Sequence, residues 1–115
     1  LLSDGTLKLL MLLAILLSPD PPPLVCIDEP ELGLHPDWIK LIAELVVTAS
    51  ERTQLVIATH SPEFVSKVRP SHVVIVEKTG GRTVAERLKE DEFEDWLTRF
   101  RLGELWTAGQ LGGRP

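Results

Sequence analysis

Leu24-Val25-Cys26-Ile27-Asp28-Glu29-Pro30-Glu31 decides the fold of this chain. Four apolar residues run directly into two adjacent carboxylates, and a proline stops the run. A short, continuously apolar segment of this kind reads as a fully buried strand of a parallel sheet. In open parallel sheets, ligands sit beyond the carboxyl ends of the strands. The Asp28-Glu29 pair therefore stands where a ligand would bind. Neither charge could lie inside the sheet without a large desolvation cost. The bland alternative is a strand that ends in a solvated acidic turn.

Working outward, a second strand comes after one helix. Pro36 suits the first turn of that helix. Trp38, Leu41, Ile42, Leu45 and Val46 follow the i, i+3, i+4, i+7, i+8 pattern of one helical face, ending near Glu51. Gln54-Leu55-Val56-Ile57-Ala58 is the second buried strand, and Thr59-His60-Ser61-Pro62 follows it. Strand, helix, strand at this spacing is a βαβ unit with a right-handed crossover. Its strands are parallel, so Asp28 and His60 are expected on one edge of the sheet.

Upstream, Ser3 or Asp4 can cap a helix from about Thr6 to Leu17. That helix is apolar almost all round and is expected to be buried. Ser18-Pro19-Asp20-Pro21-Pro22-Pro23 makes a stiff connector. Downstream, a short helix runs from Pro62 to about Lys67, and a strand from His72 to Glu77. Lys78-Thr79-Gly80-Gly81-Arg82 reads as a hairpin turn, with Thr83 to Arg87 returning. Phe93, Trp96, Leu97 and Phe100 mark a final amphipathic helix. Leu111 to Pro115 is expected to be loose. The acidic stretch Lys89 to Asp95 reads as the solvated face of that last helix.

The bulk properties set limits. The chain has 115 residues, 43% hydrophobic and 25% charged, which suits one domain or part of a larger one. A net charge of −5 and a pI near 5.1 argue against a free-standing nucleic-acid binder with a basic face. The single cysteine, Cys26, permits no internal disulfide and fits a reducing, cytoplasmic setting. It is expected as a small core hydrophobe. The apolar run from Leu9 to Leu17 is too short to span a bilayer, and no targeting signal is visible. The chain opens at Leu1 inside a structured motif, which reads as a piece of a longer protein.

The candidate chemistry lies at the strand ends. Asp28 can hold Mg²⁺, directly or through water, and Glu29 can orient or deprotonate an attacking water. This division suits phosphoryl transfer, which is mostly positioning and charge neutralisation. His60 could donate a hydrogen bond to a terminal phosphate, although a lone histidine is more often a cap or a core residue. Ser3-Asp4-Gly5-Thr6 opens a helix whose N-terminus suits a phosphate, although for these residues alone an ordinary cap is the better reading.

Together these segments resemble a family. Leu2-Ser3-Asp4-Gly5-Thr6 resembles the ABC signature, usually Leu-Ser-Gly-Gly-Gln. Leu24 to Glu29 resembles its Walker B strand with the catalytic glutamate. Glu31-Leu32-Gly33-Leu34-His35-Pro36 resembles the D-loop, and Thr59-His60-Ser61 the switch-histidine loop. Order and spacing match, and the likeness is strongest to AAA-type ATPases of the RecF, SMC and OLD-nuclease kind. It covers about Leu1 to Lys78.

The resemblance implies a partial P-loop NTPase fold of ABC type, an α/β arrangement of parallel strands with flanking helices, then a β-hairpin plus helix. It implies a C-terminal lobe over residues 1–88 and a helical tail over 89–115. It implies ATP and Mg²⁺ as ligands. Asp28 would serve Mg²⁺, Glu29 would polarise water and His60 would contact the γ-phosphate. Ser3 and Gly5 would reach the ATP of a second subunit in a homodimer, with Leu32 to His35 at the interface. A DNA or nuclease partner of the longer protein would also fit, and a membrane would not.

Asp4 and Thr6 depart from the signature, and no Gly-x-x-x-x-Gly-Lys-Ser/Thr occurs in the sequence. Two rivals stand beside the ATPase reading. One is a degenerate head that dimerises without hydrolysis, favoured by Asp4. The other is a nuclease or phosphatase metal cluster of Asp28, Glu29, Glu31, His35 and His60.

Overall fold

The computed structural model describes residues 2–92, 101–113 and 115. The chain divides into two compact units, the first ending at Thr59 and the second beginning at His60.

In the first unit the order is α1 (Asp4–Leu16), β1 (Leu24–Asp28), α2 (Pro36–Ala49) and β2 (Gln54–Ala58). β1 and β2 are parallel and in direct register from Leu24 opposite Gln54 to Asp28 opposite Ala58. This is the expected βαβ unit. Ser3 is the cap of α1, and its hydroxyl accepts the Thr6 N–H. His35 caps α2, with Pro36 in the first turn. The helices pack on each other. Leu12 and Leu16, one turn apart on α1, are buried, as are Ile42, Ala43, Val46 and Ala49 of α2. Burial of a side chain such as Leu12 or Ile42 stabilises by about 1.5–3 kcal/mol. Polar bonds tie the ends of these elements together. Arg52 Nη2 donates to Leu16 O at 2.7 Å, which satisfies a carbonyl at the α1 C-terminus. Thr53 Oγ1 donates to Pro22 O and Gln54 N–H to Pro23 O, fixing the proline connector beside the start of β2.

Two expectations about burial are corrected. Neither strand is fully buried: in β1 Val25 is inside but Leu24 is exposed, as is Cys26, which is not the core hydrophobe expected, and in β2 Gln54, Val56 and Ala58 are exposed. α1 is not buried all round, because Leu7, Leu10, Met11 and Ile15 are exposed. The reason is common to both. Each element packs along one stripe, and among the described residues nothing covers the opposite apolar side. An apolar run reports which surfaces seek cover, and the covering surface must be present for burial.

The second unit contains α3 (Pro62–Val65), a single 3₁₀ turn (Pro70–His72), β3 (Val74–Thr79), β4 (Arg82–Arg87) and α4 (Leu102–Thr107). β3 and β4 form the expected antiparallel hairpin, with Thr79 opposite Arg82. Gly80 and Gly81 both have positive φ, as a two-residue hairpin turn of this type demands. Val65, Leu88, Leu102, Leu105, Trp106 and Leu111 form the core, and Val73 and Ile75 pack against it. The helix expected from Phe93 to Phe100 lies outside the described residues. The tail is held in part, contrary to expectation. Leu111 is buried, and Gly113 N–H donates to Glu77 Oε2 at 3.0 Å. Among the described residues, no helix is long and apolar enough to cross a membrane.

Candidate functional site

The carboxyl end of β1 is built by backbone geometry. Asp28 is the last strand residue and is exposed. Glu29 continues the pairing by one bond, its N–H donating to Ala58 O at 2.8 Å. It then turns sharply with φ +48°, and it is the one described residue other than glycine with positive φ. A left-handed conformation costs a residue with a Cβ about 1–2 kcal/mol. Such strain persists where the surroundings over-determine it, and it clusters at functional sites.

The surroundings do so here. Leu32 N–H returns to Glu29 O at 3.1 Å, closing a turn with Pro30 at its second position. Pro30 is fully buried and anchors that turn. Leu34 N–H then bonds Glu31 O at 3.1 Å, closing a second turn. Gly33, with φ +80°, occupies the third position of that turn, where type II geometry requires glycine. Leu32 at the tip is 65% exposed.

The N-terminus of α1 meets this loop. A methyl group on Gly5 would lie 2.7 Å from Gly33 O, so the two backbones approach as only glycine allows. Lys8, one turn further on, donates to Glu29 O at 2.9 Å and to Leu32 O at 2.8 Å. Lys8 belongs to none of the sequence motifs. Its signal was available, because Lys8 is the one charged residue of α1 after Asp4. Ser3 Oγ and Thr6 Oγ1 share a hydrogen bond of 2.8 Å, so Thr6 steadies the capping hydroxyl. Asp4 sits in the first turn of α1, where its charge favours the helix dipole.

His35 Nδ1 accepts the Asp37 N–H at 3.2 Å, and its ring meets Trp38 edge-on at 6.5 Å. It therefore serves as a cap. His60, two residues beyond Ala58, is exposed and opens the second unit. Ser61, next along, is buried and caps α3, accepting the Phe64 N–H at 3.1 Å. The structure thus joins the segment from Ser3 to Lys8 to the segment from Asp28 to Leu34 within one unit. Among the described residues, no group of three or more His, Cys, Asp or Glu side chains is placed to hold a metal. A magnesium site needs less from the protein, since Mg²⁺ commonly takes one or two carboxylates and completes its shell with phosphates and water. Asp28, exposed at a strand end, fits that donor set.

A family model described as "AAA domain, putative AbiEii toxin, Type IV TA system" matches residues 1–66. The chain belongs to this AAA domain family. The AAA match takes in every segment just described, from Ser3 through His60. The AAA domain is also 37% identical over 73 residues to the Old nuclease of Escherichia phage P2, across 63% of this chain and 12% of that protein. The chain therefore spans about an eighth of that relative's length. Its fold is similar to a solved structure from work on ATP-driven dimerization and DNA stimulated activation of SMC ATPases. That similarity has a TM-score of 0.64 and 20% identity, over 84% of this chain and 60% of the other. The fold is accordingly part of an AAA/ABC-type ATPase head, within the P-loop NTPase class.

Proposed function

We propose that this chain forms the C-terminal half of an ATP-hydrolysing head that works as an ATP-sandwiched homodimer. The observation that supports it best is the strained Glu29, held by both its backbone groups beside Asp28 at the end of a parallel strand. In this reading Asp28 holds Mg²⁺, which would neutralise phosphate charge. Glu29 takes a proton from water as the water oxygen bonds to the γ-phosphorus and ADP leaves with the bridging oxygen. His60 donates a hydrogen bond to the γ-phosphate. Ser3 and Gly5, at the N-terminus of α1, meet the ATP held by the other subunit, and Leu32 to His35 line the contact between subunits.

The phosphate-binding loop with its lysine is absent from this sequence, so the reading takes it from another segment of the intact protein. The open apolar side of β1 and β2, formed by Leu24, Cys26 and Val56, suits coverage by that segment. A DNA or nuclease partner is part of the proposal, by analogy with the phage nuclease and the DNA-stimulated SMC ATPases. A cytoplasmic location belongs to it as well.

The test is Glu29→Gln in the intact protein. Loss of the general base lowers turnover by about 10²–10⁴-fold, and the ATP-bound dimer accumulates on gel filtration. Unchanged turnover refutes the role of Glu29. A wild-type protein with no turnover, but with ATP-dependent dimers, would instead establish the degenerate head.

A further inference from the structure

α1 touches the loop after β1 at two places. Gly5 abuts Gly33 O, and Lys8 bonds Glu29 O and Leu32 O. An ammonium has three donors and no acceptor. Two of the three are spent on carbonyls that bracket the Pro30-Glu31 turn. Glu29 O accepts twice, from Leu32 N–H and from Lys8 Nζ. Charge-assisted bonds of this length are stronger than neutral ones. Lys8 is half-buried, and its bond to Glu29 O is partly shielded from water, whereas the bond to Leu32 O is exposed. The backbone of Glu29 therefore depends on a side chain one turn away from the start of α1.

We infer that Lys8 is a positioning residue that couples the N-terminus of α1 to the carboxylate of Glu29. This rests on the reading of Glu29 as the group that activates water. In the proposed dimer, Ser3 and Gly5 face the partner's nucleotide, whereas Glu29 serves the nucleotide of its own subunit. Lys8 then links two different ATP sites through one helix. A shift of α1 when the partner's nucleotide arrives or leaves is passed to Glu29 O and Leu32 O. It alters the aim of the Glu29 side chain without any contact between Lys8 and ATP.

The experiment compares Lys8→Met and Lys8→Arg with wild type in the intact protein. Two readouts are needed: steady-state ATP hydrolysis, and amide hydrogen exchange at Leu32 and Leu34 with the amides of α2 as reference. Lys8→Met, which keeps the apolar stem, is expected to lower kcat by about 10- to 100-fold, the effect of displacing a catalytic group by roughly 1 Å. The KM for ATP should change less than about threefold, since uniform binding is untouched. Exchange at Leu32 and Leu34 should accelerate while α2 is unchanged. Lys8→Arg, whose fork can serve both carbonyls, should restore most of kcat and the slow exchange. With an active wild type, an unchanged kcat or unchanged loop exchange in Lys8→Met overturns the inference. Acceleration throughout the chain, or no rescue by Lys8→Arg, overturns it as well. If the wild type hydrolyses no ATP, the functional reading fails instead. The exchange data then decide separately whether Lys8 holds the loop.

Discussion

Gly103→Ala tests how the packing of the second unit reaches the segment that carries His60. Gly103 lies in α4 and is buried. A methyl group there would fall 2.6 Å from the Pro62 carbonyl carbon, and closer still to Pro62 O and Ser66 Oγ. Ordinary carbon contacts lie at about 3.5–4.0 Å, so α3 and α4 must part by roughly 1 Å. Overpacking of this kind costs about 1–3 kcal/mol. The separation also weakens the bond from Gly103 N–H to Ser66 Oγ, 2.9 Å long and worth about 1 kcal/mol. Against this, alanine favours the helix by about 1 kcal/mol over glycine. The net loss is about 2 kcal/mol. Urea unfolding followed by tryptophan fluorescence reads it, because Trp106 sits in the same core. With an ordinary urea dependence, the midpoint falls by about 1 M. An unchanged or raised midpoint would refute the close-approach argument. Pro62 opens α3 two residues after His60, so, on the role proposed for His60, the same variant in the intact protein should also lower ATP turnover.

The remaining predictions concern the helix N-termini. Gly5→Ala gains helix propensity but drives a methyl group to 2.7 Å from Gly33 O, a rigid backbone atom. The net effect is a destabilisation of about 1–2 kcal/mol, checked by thermal unfolding, and a higher melting temperature would count against it. In α4, the Glu104 carboxyl is held below its ordinary value by a hydrogen bond from the Arg101 side chain, then by one from the Arg101 backbone. A depressed carboxylate stabilises above its unfolded value of 4.5, and the contribution is lost as pH falls through the folded value. Wild type should thus lose stability relative to Glu104→Gln below pH 4.5, and parallel stability curves from pH 3 upward, roughly, would refute the assignment.

Much of the frame was legible because local chemistry and tertiary need agreed. β1 and β2 have the expected bounds, since Pro23 and the Glu29-Pro30 pair bracket one, and Thr53 and Thr59 the other. Pro36 and Pro62 marked two helix starts through their fixed φ. The close approach of Gly5 to Gly33 was not legible, because it joins residues far apart in sequence. The clamp by Lys8 had a signal, a lone cation in an apolar helix, but the partners are backbone carbonyls, which no residue type advertises. α4 is not legible in the sequence although Leu102, Leu105 and Trp106 carry helical spacing. Six residues are too few for periodicity to stand out, and the helix is secured by the Val65 core and the Ser66 hydroxyl. The place of Leu111 is hidden in the sequence because the glycines around it suggest freedom, whereas the core takes the leucine.

The meeting of Gly5 with Gly33 O alters what divergence among related chains can record. A glycine at this place in a signature motif is naturally taken as room for a phosphate. Here a carbonyl of the chain's own loop already claims that room. Purifying selection on folding alone would keep Gly5, and it would keep Ser3 as the cap of α1. A lineage that had abandoned hydrolysis could therefore carry an intact-looking Ser3 and Gly5 for as long as it stayed folded. Asp28, exposed at the end of its strand, is under no such steric obligation. Its loss or retention is the better fossil of the chemistry.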